Sequence, residues 1–160
     1  MTDNTSPMIL VVEDNLVEAM NVKNALTKAG MQVLGIAKTE NELYSFVEKQ
    51  VPDLVLMDIG LGGVDSGIDI AKNITERFRV PVVFSTSYCD DTTISDALEI
   101  SPYGYLVKPY GALSLTTTIK VALERKKIEK ALAASNRRFA MASKIARLGV
   151  LEVDASTQSV

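Results

Sequence analysis

Acidic, hydroxyl and basic side chains stand at the ends of four short apolar segments of this chain. The segment 8–12 is followed by Glu13 and Asp14, and another segment ends in Asp58. A third leads into a run of hydroxyl residues, and a fourth ends in Lys108. Short segments rich in Val, Ile and Leu are typical of strands buried on both faces of a parallel sheet. Because the carboxyl ends of parallel strands meet at one edge, we expect these side chains to converge.

Three carboxylates at one edge of a sheet require compensating positive charge. Two like charges ~4 Å apart repel by about 4 kcal/mol at an effective dielectric constant of ~20. A divalent cation together with Lys108 would balance Glu13, Asp14 and Asp58. The chain has no histidine and one cysteine, so its ligands are oxygens, which favours Mg²⁺. Magnesium usually acts on phosphate, which indicates phosphoryl transfer with Asp58 as the nucleophile and an aspartyl phosphate as the product.

Strand and helix patterns alternate five times along the chain, which has the length of one domain with an appendage. Helix boundaries are indicated by Gly30, a stop signal, and by Thr39 to Glu42, which has the spacing of a capping box. Right-handed crossovers would place helices on both faces of a parallel sheet. We therefore predict an α/β fold with a doubly wound, five-stranded, flavodoxin-like (βα)5 sheet. No G-x-G-x-x-G follows the first strand, which disfavours a dinucleotide-binding variant. The strands are predicted at 8–12, 31–37, 53–58, 80–85 and 103–107.

The last helix is predicted from Ala112 to about Arg147, a stretch without proline or glycine. Its apolar residues recur at steps of about three and four residues, a pattern that favours an amphipathic helix seeking a partner. Beyond about residue 125 such a helix outruns a five-stranded domain. We therefore expect a homodimer formed through this helix. The apolar stripe comprises Val121, Ile128, Leu132, Phe139, Ala142 and Ile145 or Ala146, and Arg125 and Ser135 interrupt it.

Charge is distributed unevenly along the chain. Residues 1–107 hold 7 Lys and Arg against 16 Asp and Glu, whereas residues 108–147 hold 10 against 2. A basic helical segment is compatible with nucleic acid or an acidic membrane, but no recognition motif accompanies it, and we expect a solvated connecting helix. No segment has the ~18 apolar residues of a membrane span, and no secretory signal precedes the first strand. The single Cys89 suggests a reducing compartment, so a cytoplasmic location is expected.

The segments ILVVEDN, DLVLMDI, PVVFSTS and GYLVKPY closely resemble the receiver domain of two-component response regulators, in order and spacing. The resemblance covers about residues 7–125. It implies that Asp58 accepts the phosphoryl group from a histidine kinase or phosphotransfer protein. It also implies that Asp14 binds Mg²⁺ directly, that Glu13 acts mainly through water, and that Asp58 and the backbone carbonyl of Gly60 complete the protein ligands.

The same resemblance assigns roles to the later motifs. Thr86 is similar to the hydroxyl residue that binds the phosphoryl group, and Lys108 to the lysine that pairs with it. Tyr105 is similar to the aromatic residue that turns inward on activation. The Lys108-Pro109 bond is expected to be cis. Two positions depart from the usual pattern and affect the lifetime of the phosphate: Gly60 has no side chain over the site, and Tyr88 is an aromatic residue two positions after Thr86.

The C-terminal segment from Asn136 resembles the opening of a PAS sensor domain, with a short helix followed by a strand over 149–154. A PAS domain is several times longer, so we expect a fragment of a hybrid histidine kinase or another multi-domain sensor. The predicted organisation is a disordered N-terminus at 1–7, a receiver domain at 8–125, a linker or signalling helix at 126–147 and a truncated PAS-like start at 148–160.

The leading hypothesis is a phosphoacceptor switch with weak autophosphatase activity at most, and a histidine kinase is one candidate for the parent protein. The alternative is a degenerate receiver that serves as a dimerisation or docking module without phosphorylation. A haloacid-dehalogenase-like phosphatase would have a second aspartate where Gly60 stands. A DNA-binding regulator would require a helix-turn-helix, which does not fit in the residues after the receiver.

Overall fold

The fold is a five-stranded parallel sheet with helices on both faces, in a computed structural model that describes residues 5–61, 66–87 and 91–157. The strand order is β2-β1-β3-β4-β5, and all four strand pairs are parallel. This order confirms the predicted doubly wound, flavodoxin-like sheet. The elements are β1 (Met8–Val12), α1 (Leu16–Lys28), β2 (Gln32–Ala37), α2 (Glu40–Lys49), β3 (Leu54–Asp58), α3 (Ser66–Phe78), β4 (Val82–Thr86), α4 (Asp91–Glu99), β5 (Gly104–Val107) and α5 (Ala112–Thr157).

The central strands β3 and β4 are buried along their whole length. Alternate side chains of each strand enter two separate apolar clusters, because successive residues of a strand point to opposite faces. Met57 and Phe84 lie in the cluster that includes residues of α2, α3 and α4, whereas Leu56 and Val83 lie in the one that includes residues of α1 and α5. Both faces of the sheet are thus covered, which explains why these strands are continuous apolar runs.

The helix ends follow the local signals in the sequence. Asn15 caps α1 and accepts bonds from the amides of Val17 and Glu18, and Gly30 follows the helix with a φ of 83°. The capping box of α2 is formed in part: the Glu42 amide donates to Thr39 Oγ1 at 3.2 Å. The Glu42 carboxylate accepts from the amide of residue 38 instead of closing back on the cap residue.

The C-terminal segment differs from the prediction. The strand expected over 149–154 is wrong, because α5 continues to Thr157. An isolated strand leaves its backbone groups without sheet partners, whereas extension of an existing helix satisfies them within the segment. The chain divides into two compact units, Met1–Glu124 and Arg125–Val160.

Residues 1–4 of the N-terminal segment that was expected to be disordered lie outside the described residues. The carbonyl of Pro7 accepts a hydrogen bond from the amide of Gln32 at 2.8 Å, which attaches residue 7 to the start of β2. Tyr88 and Cys89 lie outside the described residues. Within the described part of the chain, none of the helices combines the length and apolar character that a membrane span requires.

Candidate functional site

Three acidic side chains meet at the carboxyl ends of β1 and β3. Glu13 and Asp14 directly follow β1, Asp58 is the last residue of β3, and these two strands are hydrogen-bonded neighbours. One carboxylate oxygen of each residue lies within 4.8 Å of the others. Glu13 and Asp58 are buried, whereas Asp14 is exposed. The sheet therefore brings Asp58 next to Glu13 and Asp14, which precede it by more than 40 residues in the sequence.

The side chain of Lys108 reaches this group from the loop after β5. Its Nζ lies 2.8 Å from Glu13 Oε2 and 3.4 Å from Asp58 Oδ2, and it also donates to Glu18 Oε2. The backbone amide of Lys108 donates to the carbonyl of Thr86 at 2.8 Å, which extends the β4–β5 ladder to the site. The Lys108-Pro109 bond is cis, as predicted.

Negative charge exceeds positive charge among the described residues of the site. Lys108 pairs with the carboxylates of Glu13, Glu18 and Asp58, and Asp14 adds a further carboxylate beside Glu13 and Asp58. Burial raises the pKa of Glu13 from 4.5 to about 7, with a further contribution from the charge of Asp58, and the bond from Lys108 offsets this only in part. Burial opposes the charge on Lys108, but the bonds to Glu13 and Glu18 outweigh it and raise the pKa of the ammonium. The two shifts thus have different main causes, burial for the Glu13 carboxyl and the neighbouring carboxylates for the Lys108 ammonium.

Backbone groups hold two of the carboxylates in place. The amide of Gly60 donates to Asp58 Oδ1 at 2.9 Å, and the amide of Asn15 donates to Glu13 Oε1 at 3.0 Å. Gly67, in the first turn of α3, lies against the end of β3: a Cβ there would be 2.6 Å from the carbonyl oxygen of Asp58. The absence of a side chain at Gly67 thus allows α3 to pack against the strand end that carries Asp58.

Thr86 and Tyr105 lie on neighbouring strands of the same sheet face. Thr86 ends β4 and is completely buried. Phe84, two residues earlier on the same face, is paired in register with Tyr105. Tyr105 is half-buried against the apolar cluster that includes α4 residues, and its hydroxyl oxygen is buried. The ring is therefore directed inward.

The sequence interpretation missed Glu18 and the Ser85–Tyr110 contact. Glu18 lies in the first turn of α1, and helical side chains lean towards the helix N-terminus, so Glu18 leans towards the end of β1. An acidic residue three positions after the cap Asn15 was the available signal. Tyr110 Oη lies 3.1 Å from Ser85 Oγ. Ser85 alternates with Phe84 and Thr86 and so faces the opposite side of the sheet.

The donor set fits a hard divalent cation. All three convergent side chains are carboxylates, and the residual negative charge of the site favours a cation over any anion. Oxygen ligands at a partly exposed position suit Mg²⁺, which keeps several of its waters. This edge of the sheet thus provides an acidic cluster of the kind that binds Mg²⁺.

Comparison with known proteins places these features in a family. The family model for the response regulator receiver domain matches residues 9–120. The signal receiver domain of a modulated diguanylate cyclase from Desulfovibrio desulfuricans G20 is 33% identical, with a TM-score of 0.72 over 78% of this chain and 99% of that one. The N-terminal domain of a response regulator/sensory box/GGDEF 3-domain protein from Carboxydothermus hydrogenoformans is 32% identical, with a TM-score of 0.69 over 76% of this chain and 98% of that one.

Curated relatives are longer than the matched region. The transcriptional regulatory protein PdtaR of Mycobacterium tuberculosis is 30% identical over 117 residues, which are 73% of this chain and 57% of that protein. The chain spans about half the length of the first curated relatives that it matches.

Proposed function

Because the chain belongs to the response regulator receiver family, we propose that it is a phosphoacceptor of a two-component phosphorelay with Asp58 as the phosphorylated residue. The phosphodonor would be a histidine kinase or a phosphotransfer protein. One observation carries this proposal: Asp58 ends β3 within reach of two other carboxylates and of the Lys108 ammonium.

The arrangement is suited to phosphoryl transfer without a general base. An oxygen of Asp58 forms the new bond to phosphorus while the bond between phosphorus and the donor group breaks, and the leaving group departs with the bonding electrons. The step depends on positioning and charge neutralisation, which the neighbouring side chains supply. Lys108 lies beside the position of the incoming phosphoryl oxygens and offsets their charge.

The metal ligands proposed are the side chains of Asp14 and Asp58 and the backbone carbonyl of Gly60, with Glu13 acting through water. When bound, Mg²⁺ supplies positive charge that offsets both the carboxylates and the phosphoryl oxygens. The exposed position of Asp14 suits a direct ligand of a hydrated ion, whereas Glu13 is engaged by Lys108 and by the Asn15 amide.

Acetyl phosphate labelling tests the assignment. The protein incubated with acetyl phosphate and Mg²⁺ should gain the mass of one phosphoryl group, and chelation of the metal should suppress the gain. The Asp58→Asn variant should remain unlabelled. Asp53→Asn, which changes an aspartate just before the opposite end of the same strand, should be labelled like the parent protein. Equal labelling of the Asp58→Asn variant would contradict the proposal.

Thr86 and Tyr105 are proposed to convert phosphorylation into a change on the face formed by α4, β5 and α5. A phosphoryl group adds a charge of roughly −2 and draws the Thr86 hydroxyl towards Asp58, which leaves space for the Tyr105 ring to move further inward from its half-buried position. The shared sheet face, the complete burial of Thr86 and the partial burial of Tyr105 support this relay. Thr86→Ala should be phosphorylated at Asp58 yet show few amide chemical-shift changes at β5, whereas Thr116→Ala, on α5, should respond like the parent.

The receiver is further proposed to belong to a hybrid histidine kinase or another multi-domain sensor, with a PAS domain after α5 and dimerisation through that helix. In support, one solved relative is the N-terminal domain of a three-domain response regulator/sensory box/GGDEF protein. The full reading frame should encode a sensor domain after α5. The alternative, a phosphorylation-independent docking module, predicts that Asp58→Asn leaves every output of that protein unchanged.

A further inference from the structure

The Glu18 carboxylate contacts the ammonium group of Lys108, which is the group proposed to pair with a phosphoryl group on Asp58. A lysine ammonium has three N–H donors, and three carboxylates lie within salt-bridge distance of Lys108 Nζ: those of Glu13, Glu18 and Asp58. The contact to Asp58, at 3.4 Å, is the longest of the three. The lysine is thus drawn from the phosphoacceptor towards the two glutamates.

The two glutamates differ in how firmly they are held. Glu13 is buried, and the backbone amide of Asn15 fixes its other carboxylate oxygen. The Glu18 side chain is 42% exposed, against 15% for that of Lys108, so its carboxylate can turn into solvent without losing hydration. The contact with Glu18 is therefore the one that the ammonium can exchange at the lowest cost.

We propose that Glu18 is a positioning residue that competes with the phosphoryl group for Lys108 and so limits phosphorylation of Asp58. In the unphosphorylated protein it holds the ammonium on the α1 side of the site. A phosphoryl group on Asp58 displaces Glu18, and Lys108 then donates to the phosphoryl oxygens. This inference rests on the proposed function, because it assumes that an anion forms at Asp58.

Beryllofluoride, an anionic mimic of the phosphoryl group, provides the test at saturating Mg²⁺. Glu18→Gln removes the competing charge and should tighten beryllofluoride binding by about two- to fivefold, the scale of a partly exposed ion pair. Glu18→Asp keeps the charge but shortens the side chain, so it should also tighten binding if contact with Lys108 matters. Glu40→Gln makes the same charge change in the first turn of α2 and should bind like the parent. All variants should unfold at the parent's temperature within a few degrees.

Each result bears on the proposal. Tightening in both Glu18 variants supports it, whereas tightening in Glu18→Gln alone shows a long-range charge effect and overturns it. Unchanged or weaker binding in both variants also overturns it, provided that the parent binds beryllofluoride. If the parent neither binds beryllofluoride nor is labelled by acetyl phosphate, the proposed function itself fails, independently of Glu18.

Discussion

At the scale of single residues, the described part of the site has an ammonium group that is shared by several carboxylates. Lys108 contacts three carboxylates on α1, β3 and the end of β1. The carboxylates of the site still repel one another, because those of Glu13, Asp14 and Asp58 lie within 4.8 Å of each other. The excess of carboxylates therefore destabilises the metal-free protein while it prepares the site for a cation.

The raised pKa of Glu13, about 7, predicts how the stability of the metal-free protein depends on pH. Between about pH 4.5 and 7 the folded protein retains a proton that the unfolded chain has lost. The free energy of unfolding should therefore fall as the pH rises through this window, by on the order of 1–3 kcal/mol from this group.

Urea denaturation at pH 5 and pH 8 in the presence of a chelator measures this effect. Glu13→Gln does not titrate and should lose the corresponding part of the pH dependence, whereas Glu40→Gln should keep it. An identical pH dependence in the parent and in Glu13→Gln would show that another group is responsible.

At the scale of elements, the start of α3 packs closely against the end of β3 at Gly67, where no side chain separates the two backbones. A Cβ at this position would meet backbone atoms of Asp58 and Ile59 at 2.6–2.8 Å, and backbone atoms cannot turn aside as a flexible side chain can. Gly67→Ala should therefore push α3 away from the strand end that carries the phosphoacceptor.

We expect Gly67→Ala to lower the free energy of unfolding by about 1–3 kcal/mol, as other overpacking substitutions do, and to slow labelling by acetyl phosphate. Gly111→Ala is a suitable control, because a Cβ there would have no atom within 4 Å among the described residues. Chemical denaturation and labelling rates measure both effects. If Gly67→Ala behaves like Gly111→Ala, the close packing has no role in positioning Asp58.

The sheet and the convergence of Glu13, Asp14, Asp58 and Lys108 were predictable from the sequence, for a physical reason. A strand buried on both faces is a continuous apolar run, and parallel topology places the residues after all such runs at one edge. The contact of Glu18 with Lys108 was not predictable in this way, because it depends on how α1 is oriented on the sheet. The strand predicted over 149–154 failed because a strand depends on partners that are not local.

At the scale of the whole molecule, α5 carries a stripe of exposed apolar side chains. Val121, Ile128, Leu132 and Phe139 follow one another at steps of seven, four and seven residues, and each is more than half exposed. This spacing keeps the four residues on one seam of a helix, as in coiled coils. A second copy of the chain with the same seam is the partner whose pattern matches it.

Self-association should therefore depend on the seam and not on apolar exposure in general. Leu132→Asp places a charge on the seam and should make the protein monomeric, because a buried carboxylate without a partner is costly. Met141→Asp changes a residue of similar exposure, 66% against 59%, that lies two positions beyond Phe139 and off the seam. It should leave association intact. Sedimentation velocity over a range of concentrations distinguishes these outcomes. Association of the parent protein should also strengthen in moderate salt, because salt screens the surplus of Lys and Arg charges that opposes pairing in this region. A parent protein that stays monomeric at high micromolar concentration in moderate salt would show that α5 does not mediate dimerisation.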